Sequence, residues 1–248
     1  MTDIVSTLRV AGCVFAEDEA RLLVEAASGP GELDGMVARR VAGLPLEHIL
    51  GWAEFCGLRI AVDPGVFVPR RRTEFLVHEA VAVGGAVVVD LCCGSAAVGA
   101  ALAAALGPIE LHAADIDPVA VRCARRNVPV VHEGDLYAAL PADLRGRVDI
   151  LAVNAPYVPT DAIAMMPPEA RDHEARVALD GGRDGLDVQR RVVDGASAWL
   201  APGGHLLIET SRGQAAATAA AFTAAGLTPR VAMSDDLDAT VVIGYAGG

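Results

Sequence analysis

Residues 86–96 read AVVVDLCCGSA: an unbroken apolar run that closes on Asp90, then a turn of small residues. A strand apolar at every position, rather than at alternate ones, belongs in a parallel sheet covered on both faces. The chain beyond it repeats the same grammar. An Ala-rich helix runs to Leu106, IELHAAD (109–115) reads as a strand, and a helix opens with Pro118 in its first turn and ends near Asn127. PVVHEGD (129–135) and VDILAV (148–153) are the next strands. After a long insertion, Val158 to Asp187, the helix DVQRRVVDGASAWL (187–200) leads through Pro202-Gly203-Gly204 to the strand HLLIET (205–210). A helix over 214–226 and strands near Thr228–Met233 and Thr240–Tyr245 complete the pattern. Strands alternating with helices predict an α/β, Rossmann-like architecture.

The N-terminal part reads differently. Glu17 to Ala27 places Ala20, Leu23, Val24 and Ala27 on one helical face, and Ser28-Gly29-Pro30-Gly31 stops it. A second helix is expected from about Glu32 to Val41. Two extended pieces follow, Ala53–Val62 and Val66–Pro69, with Asp63-Pro64-Gly65 as the expected hairpin turn, and Thr73 is placed to cap a helix through about Ala82. Gly84-Gly85 marks the main boundary. The expected organisation is a helical N-terminal domain over 1–50, a hairpin and linker helix over 51–84, and a catalytic-type domain over 85–248.

Composition narrows the function. The 248 residues are 53% hydrophobic, enough for a large core, yet no run approaches about 18 uncharged apolar residues. Met1-Thr2-Asp3 lacks a basic region leading into an apolar run, so no signal peptide is expected. Five cysteines lie without zinc spacing, and the odd number argues against a disulfide framework. A reducing cytoplasm is the expected compartment, with no membrane partner and no metal. A net charge of −12 disfavours direct binding to nucleic acid, whose phosphates are met by excess Lys and Arg. Arg70-Arg71-Arg72 is the only dense basic run.

Four strand ends carry the chemistry. The first sheet strand ends at Asp90, and Leu91-Cys92-Cys93-Gly94-Ser95-Ala96 lets backbone approach a ligand in the crevice of a doubly wound sheet. The next strand ends on Asp115, followed by Ile116, an acid placed to accept from both hydroxyls of a ribose. Asp135 and Leu136, ending the third strand, fall where an adenine ring lies. A G-x-G-x-x-G fingerprint is absent, which disfavours a pyrophosphate and leaves room for a sulfonium nucleoside. The strand Val148–Val153 then runs into Asn154-Ala155-Pro156-Tyr157. An amide or exocyclic amine is a poor nucleophile because its lone pair is delocalised. Asn154 Oδ1 and the Ala155 carbonyl are acceptors for its N–H groups, and Tyr157 is a stacking wall. Pro156 restricts Ala155 to extended backbone.

Taken together, these segments resemble the protein-(glutamine-N5) methyltransferases of the release-factor-modifying HemK/PrmC type. GLPLEHILGWAEFCGLRIAVDPGVFVPRRRTEFLV (43–77) resembles the family's linker hairpin, VVVDLCCGSAAVGAALA (87–103) its first cofactor motif, and AADIDPVAVRCARRN (113–127) its second. VDILAVNAPY (148–157) resembles the strand ending in Asn-Pro-Pro-Tyr, and EARDHEARVALDGGRDGLDVQRR (169–191) the substrate-side segment. The resemblance implies a class I S-adenosylmethionine-dependent methyltransferase fold with a small N-terminal helical domain and linking β-hairpin. It implies S-adenosylmethionine as donor, bound by Asp90, Cys92, Cys93, Gly94, Ser95, Ala96, Asp115, Ile116, Asp135, Leu136 and Asn154. The Asn154–Tyr157 quartet, with Arg70 and Glu174, would meet the substrate, the glutamine of the Gly-Gly-Gln loop in a peptide-chain release factor. Several positions depart from the family pattern: Cys92 and Ala96 replace glycines, and Ala155 replaces a proline. Glu209-Thr210-Ser211 stands where the family has Glu-x-Gly.

The residues alone leave three functions open. One is the release-factor enzyme. Another is methylation of a different acceptor: a ribosomal protein, a peptide natural product, or adenine N6. The third is a non-catalytic module that has lost its cofactor, for which the altered glycines are the argument.

Overall fold

The computed structural model describes residues 2–247. Three helices open the chain, α1 (Thr2–Val10), α2 (Ala16–Ala26) and α3 (Pro30–Val41), followed by the short α4 (Leu46–Leu50). They bury their own cluster, built on Leu8, Ala20, Leu23, Met36 and Ile49. At its edge the buried Arg40 is held by Glu19 at 2.6 Å and by Glu169, far along the chain, at 2.5 Å.

A two-stranded antiparallel hairpin follows, β1 (Trp52–Phe55) and β2 (Leu58–Ala61). Its turn is Cys56-Gly57, not the expected Asp63-Pro64-Gly65. Both turn residues are left-handed, with φ of 50° and 73°, the backbone that matches the twist of a two-residue hairpin. Asp63-Pro64-Gly65 instead forms a turn closed by Val66 N–H on the Asp63 carbonyl at 3.1 Å, which redirects the chain toward the sheet. The linker helix α5 (Glu74–Val83) begins after Thr73 as expected, but the Thr73 side chain makes no cap hydrogen bond. Its hydroxyl is used elsewhere.

The sheet strands are β3 (Val87–Leu91), β4 (Glu110–Asp115), β5 (Val131–Glu133), β6 (Val148–Val153), β7 (Leu200–Thr210), β8 (Leu227–Ser234) and β9 (Ala239–Ala246). The helices between them are α6 (Ala97–Leu106), α7 (Pro118–Ala124), α8 (Pro168–His173), α9 (Asp187–Ala196) and α10 (Ala215–Ala224). Spatial order is β5-β4-β3-β6-β7-β9-β8, parallel from β5 through β7, with β9 antiparallel to both its neighbours. This is the α/β, Rossmann-like sheet predicted from the alternating strands. Successive residues of one strand feed opposite cores. Val88, Ile150 and Ala152 pack with Leu76, Ala101 and Leu102 from α5 and α6; Val89, Leu151 and Val153 pack with Val192 and Phe222 from α9 and α10. Helix α9 ends at Ala196, four residues short of the helix end expected at Leu200, because Leu200 already pairs with Val148 in the sheet.

The order reverses between β3 and β6, so their C-terminal ends flank the crevice in which such sheets bind ligands. Asp90 and Asn154 sit at that switch point. Among the described residues no helix is long and apolar enough to cross a membrane.

Candidate active site

The crevice opens into a cavity of about 570 Å³ that runs from the Asp115 loop to the Asn154 turn. At the Asp115 end the walls are backbone and acid. Asp115 takes the Gly94 N–H on one oxygen at 2.8 Å and the Asp117 N–H on the other at 2.9 Å. These bonds fix the carboxylate plane and leave each oxygen a lone pair for a ligand hydroxyl. Burial pushes the Asp115 carboxyl up, opposed by those N–H groups. Asp90 is fully enclosed, accepts the Gly99 N–H at 2.8 Å, and is raised by burial to about 8. Ile116, 51% exposed, offers an apolar edge to the cavity. Asp135 and Leu136 line it too, with Asp135 paired to Arg191 at 2.6 Å. Burial drives the Cys92 and Cys93 thiols upward, so neither is a thiolate.

The turn after β3 keeps the backbone that glycines normally supply. Cys92, Gly94 and Ala96 have φ of 59°, 56° and 60°. An L side chain in that region is strained by roughly 1–2 kcal/mol. Ala96 recovers part of this through a fully buried methyl, but it does not line the cavity. Cys92 does, and it also packs against the core on the α9 side of the sheet.

The Asn154 end is built by three segments. Asn154, Ala155, Pro156 and Tyr157 all line the cavity. Asn154 Nδ2 donates to Thr73 Oγ1 at 3.4 Å, which leaves Oδ1 for another donor. The Ala155 carbonyl accepts no hydrogen bond among the described residues. The Tyr157 hydroxyl donates to Glu209 Oε1 at 3.3 Å; burial and that carboxylate raise the phenol to about 12. Glu209 closes strand β7 beside β6, where Ile208 pairs with Val153.

The insertion clamps the quartet from outside. Val158 N–H donates to the Leu179 carbonyl at 3.1 Å, and Gly181 N–H returns to Val158 at 2.8 Å. Gln214 Nε2 holds the Tyr157 carbonyl at 2.9 Å. A Cβ on Gly181 would lie 2.7 Å from the Pro156 carbonyl, and one on Gly185 would lie 2.2 Å from that of Tyr157. Gly181 and Gly185 therefore do more than turn the chain. They are needed because backbone packs against backbone. Gly181, Gly185 and Gln214 are site residues that sequence reasoning missed, whereas Glu209, noted only as part of a departure from Glu-x-Gly, reaches Tyr157 from within β7.

Glu174 is a different case. Its side chain is 0% exposed and absent from the cavity wall; one oxygen is shared by the Val68 N–H and Arg70. It carries Arg70, which does line the cavity and lies over the Phe67 ring at 4.9 Å.

The residues present fit an adenosine-bearing sulfonium donor. The acceptors at the Asp115 end suit ribose hydroxyls, and buried Asp90 suits a ligand that brings positive charge. Arg191, which lines the cavity beside Asp135, is paired with that acid and is not left free for a pyrophosphate.

Comparison with known proteins agrees. The methyltransferase small domain family matches residues 57–225. The release factor glutamine methyltransferase of Geobacter sulfurreducens is 40% identical over 200 residues, 77% of this chain and 69% of that protein. This chain belongs to the release factor glutamine methyltransferase family. Its methyl donor is S-adenosylmethionine. The chain is also similar to a relative of another name: a 4-amino-L-phenylalanine/4-methylamino-L-phenylalanine methyltransferase of Streptomyces pristinaespiralis is 34% identical over 238 residues, 85% of this chain and 81% of that one. A methyltransferase structure from Pyrococcus furiosus shares the fold, with a TM-score of 0.61 at 17% identity over 87% of this chain and 100% of that one.

Proposed function

We propose that this protein methylates the side-chain amide nitrogen of a glutamine in a peptide-chain release factor, in the cytoplasm. S-adenosylmethionine supplies an electrophilic methyl group on a cationic sulfur. Asn154 Oδ1 and the Ala155 carbonyl each accept one N–H of the amide, so the nitrogen lone pair is held at right angles to the amide plane and toward the Asp90 end of the cavity. Tyr157 walls the flat group from one side. Methyl transfer from a cation to a neutral nitrogen disperses charge rather than creating it, so alignment dominates and no general base is required. The nitrogen then loses a proton to water. The observation that carries this reading is the pair of uncommitted acceptors at Asn154 and Ala155, opposite the Asp90–Asp115 crevice. Similarity to the Geobacter sulfurreducens enzyme supplies the acceptor class.

A second reading is favoured by the Streptomyces pristinaespiralis relative, whose acceptor is an aromatic amine. The same two carbonyl oxygens hold either nitrogen. Incubation with isotopically labelled donor and a panel of release factor, ribosomal proteins, aromatic amines and oligonucleotides separates the readings. Label on one glutamine of the release factor, located by peptide mapping, is expected; label on an amine alone refutes the amide assignment.

A further inference from the structure

Arg40 of α3 is a buried cation with its side chain 8% exposed. Nε and Nη2 donate to the two oxygens of Glu19 at 2.6 and 3.2 Å, and Nη1 donates to the Leu44 carbonyl at 3.1 Å. One carboxylate balances one guanidinium, so the buried charge is already compensated within the N-terminal helices. A second carboxylate nevertheless reaches it: Nη1 also donates to Glu169 Oε1 at 2.5 Å, across 129 positions of sequence. Glu169 lies on α8 and lines the cavity, as do Met166, Pro167 and Ala170.

The course of the chain places α8 on the acceptor side. The chain leaves the quartet at Tyr157 and comes back where Val158 bridges Asp180 and donates to the Leu179 carbonyl. Residues 159–178 are therefore an excursion with both ends seated on the quartet. The far end of α8 is tied as well: Glu174 accepts from Arg70 and from the Val68 N–H, and the Ala175 N–H donates to the Gly65 carbonyl at 3.0 Å. We infer that Arg40 and Glu169 are positioning residues: through this ion pair the N-terminal helical domain sets where α8 stands, and so the shape of the half of the cavity that takes the methyl acceptor. Of the two carboxylates that hold α8, Glu174 is fully enclosed whereas Glu169 is 48% exposed. Water and salt screen the Glu169 tie more, so it is the one that yields first.

The inference rests on the Asn154 half of the cavity taking the acceptor, and two arms of one experiment keep the readings apart. Wild type, Glu169→Ala, Arg40→Lys, the Arg40→Lys/Glu169→Ala double variant and Arg21→Gln are compared. Arg21 pairs with Asp18 and Glu25 inside α2 and serves as the control. Hydrogen–deuterium exchange, with donor present and no acceptor, reads α8 directly. Exchange over residues 168–174 should rise roughly tenfold in Glu169→Ala and keep its wild-type rate in Arg21→Gln. In steady-state methylation of the release factor, acceptor KM should rise roughly three- to tenfold in Glu169→Ala, with donor Kd by calorimetry within about twofold of wild type. Arg40→Lys should do the same, because an ammonium lacks the fork that spans both carboxylates. The double variant should be no worse than about twofold beyond the poorer single one, since both changes break one tie. Unchanged exchange over 168–174 in Glu169→Ala would overturn the inference. So would donor Kd and acceptor KM worsening together, or losses that multiply in the double variant, which would make Glu169 a direct contact of the acceptor. If Arg40→Lys does not fold, the exchange and KM of Glu169→Ala decide. A wild type that methylates no release factor would sink that acceptor, and the exchange arm would still decide this inference.

Discussion

Gly185→Ala tests how the insertion sets the position of Tyr157. Two separate effects add at this site. The first is conformational: φ is +78°, a region that strains an L residue by roughly 1–2 kcal/mol, less about 0.5–1 kcal/mol regained by stiffening the unfolded chain. The second is contact. The added carbon would sit 2.2 Å from the Tyr157 carbonyl oxygen and 2.3 Å from Gln214 Nε2, so the backbone must shift by on the order of 1 Å, and overpacking of this kind costs about 1–3 kcal/mol. Gly203 isolates the first effect, because it has the same φ of +78° and open space around its Cβ position. Urea unfolding should therefore give a loss of about 1 kcal/mol for Gly203→Ala and about 2–4 kcal/mol for Gly185→Ala. At about 2–4 °C per kcal/mol for a chain of this size, the Tm values differ by several degrees. Methylation separates them further. A carbonyl displaced by about 1 Å carries the Tyr157 ring with it and should lower kcat by roughly tenfold or more, whereas Gly203→Ala leaves it unchanged. Equal stability losses in the two variants, with wild-type kcat in Gly185→Ala, would refute the claim that the insertion packs against the quartet's backbone.

The turn after β3 makes a second prediction: Cys92→Gly relieves left-handed strain and should raise Tm by about 2–4 °C, whereas Ala96→Gly, which also forfeits a buried methyl worth about 0.8 kcal/mol, should shift it by no more than about 2 °C. Asp90 gives a pH signature. Its carboxyl is raised from 3.8 to about 8, so the folded state keeps a proton that the unfolded chain releases, and stability should fall as pH rises from about 4 to about 8. Asp90→Asn should flatten that decline in melting curves. A cationic donor favours ionised Asp90, so donor Kd should drop in wild type as pH rises toward about 8 and stay level in Asp90→Asn. Arg40→Met strands the buried Glu19 and should cost about 3–5 kcal/mol in urea unfolding, while Glu169→Gln, which removes the half-exposed partner, should cost less than about 1 kcal/mol.

The sheet was legible because its signal is local. Apolar strands such as Val87–Leu91 and Val148–Val153 carry their environment in every residue, and both strand ends fell where the chemistry was expected. The hairpin turn was misplaced because Asp-Pro-Gly is the stronger local turn signal, whereas Cys56 adopts its left-handed backbone only under the pull of the pairing on either side. The parts of the site that escaped reading depend on distant segments meeting. Nothing near Gly185 announces that Tyr157 lies above it, and nothing near Thr73 announces the amide of Asn154. Glu174 carried the right chemistry for a substrate contact, yet the fold spends it on Arg70 and Val68. The altered positions Cys92 and Ala96 illustrate the converse: their side chains differ from glycine while the backbone retains the glycine conformation.

The most direct test compares Asn154→Ala with wild type, using one preparation for donor calorimetry and for methylation of the matched release factor. Donor Kd within a few-fold of wild type, with turnover reduced by roughly a hundredfold or more, is the predicted result. Turnover that survives the loss of this amide would contradict the account.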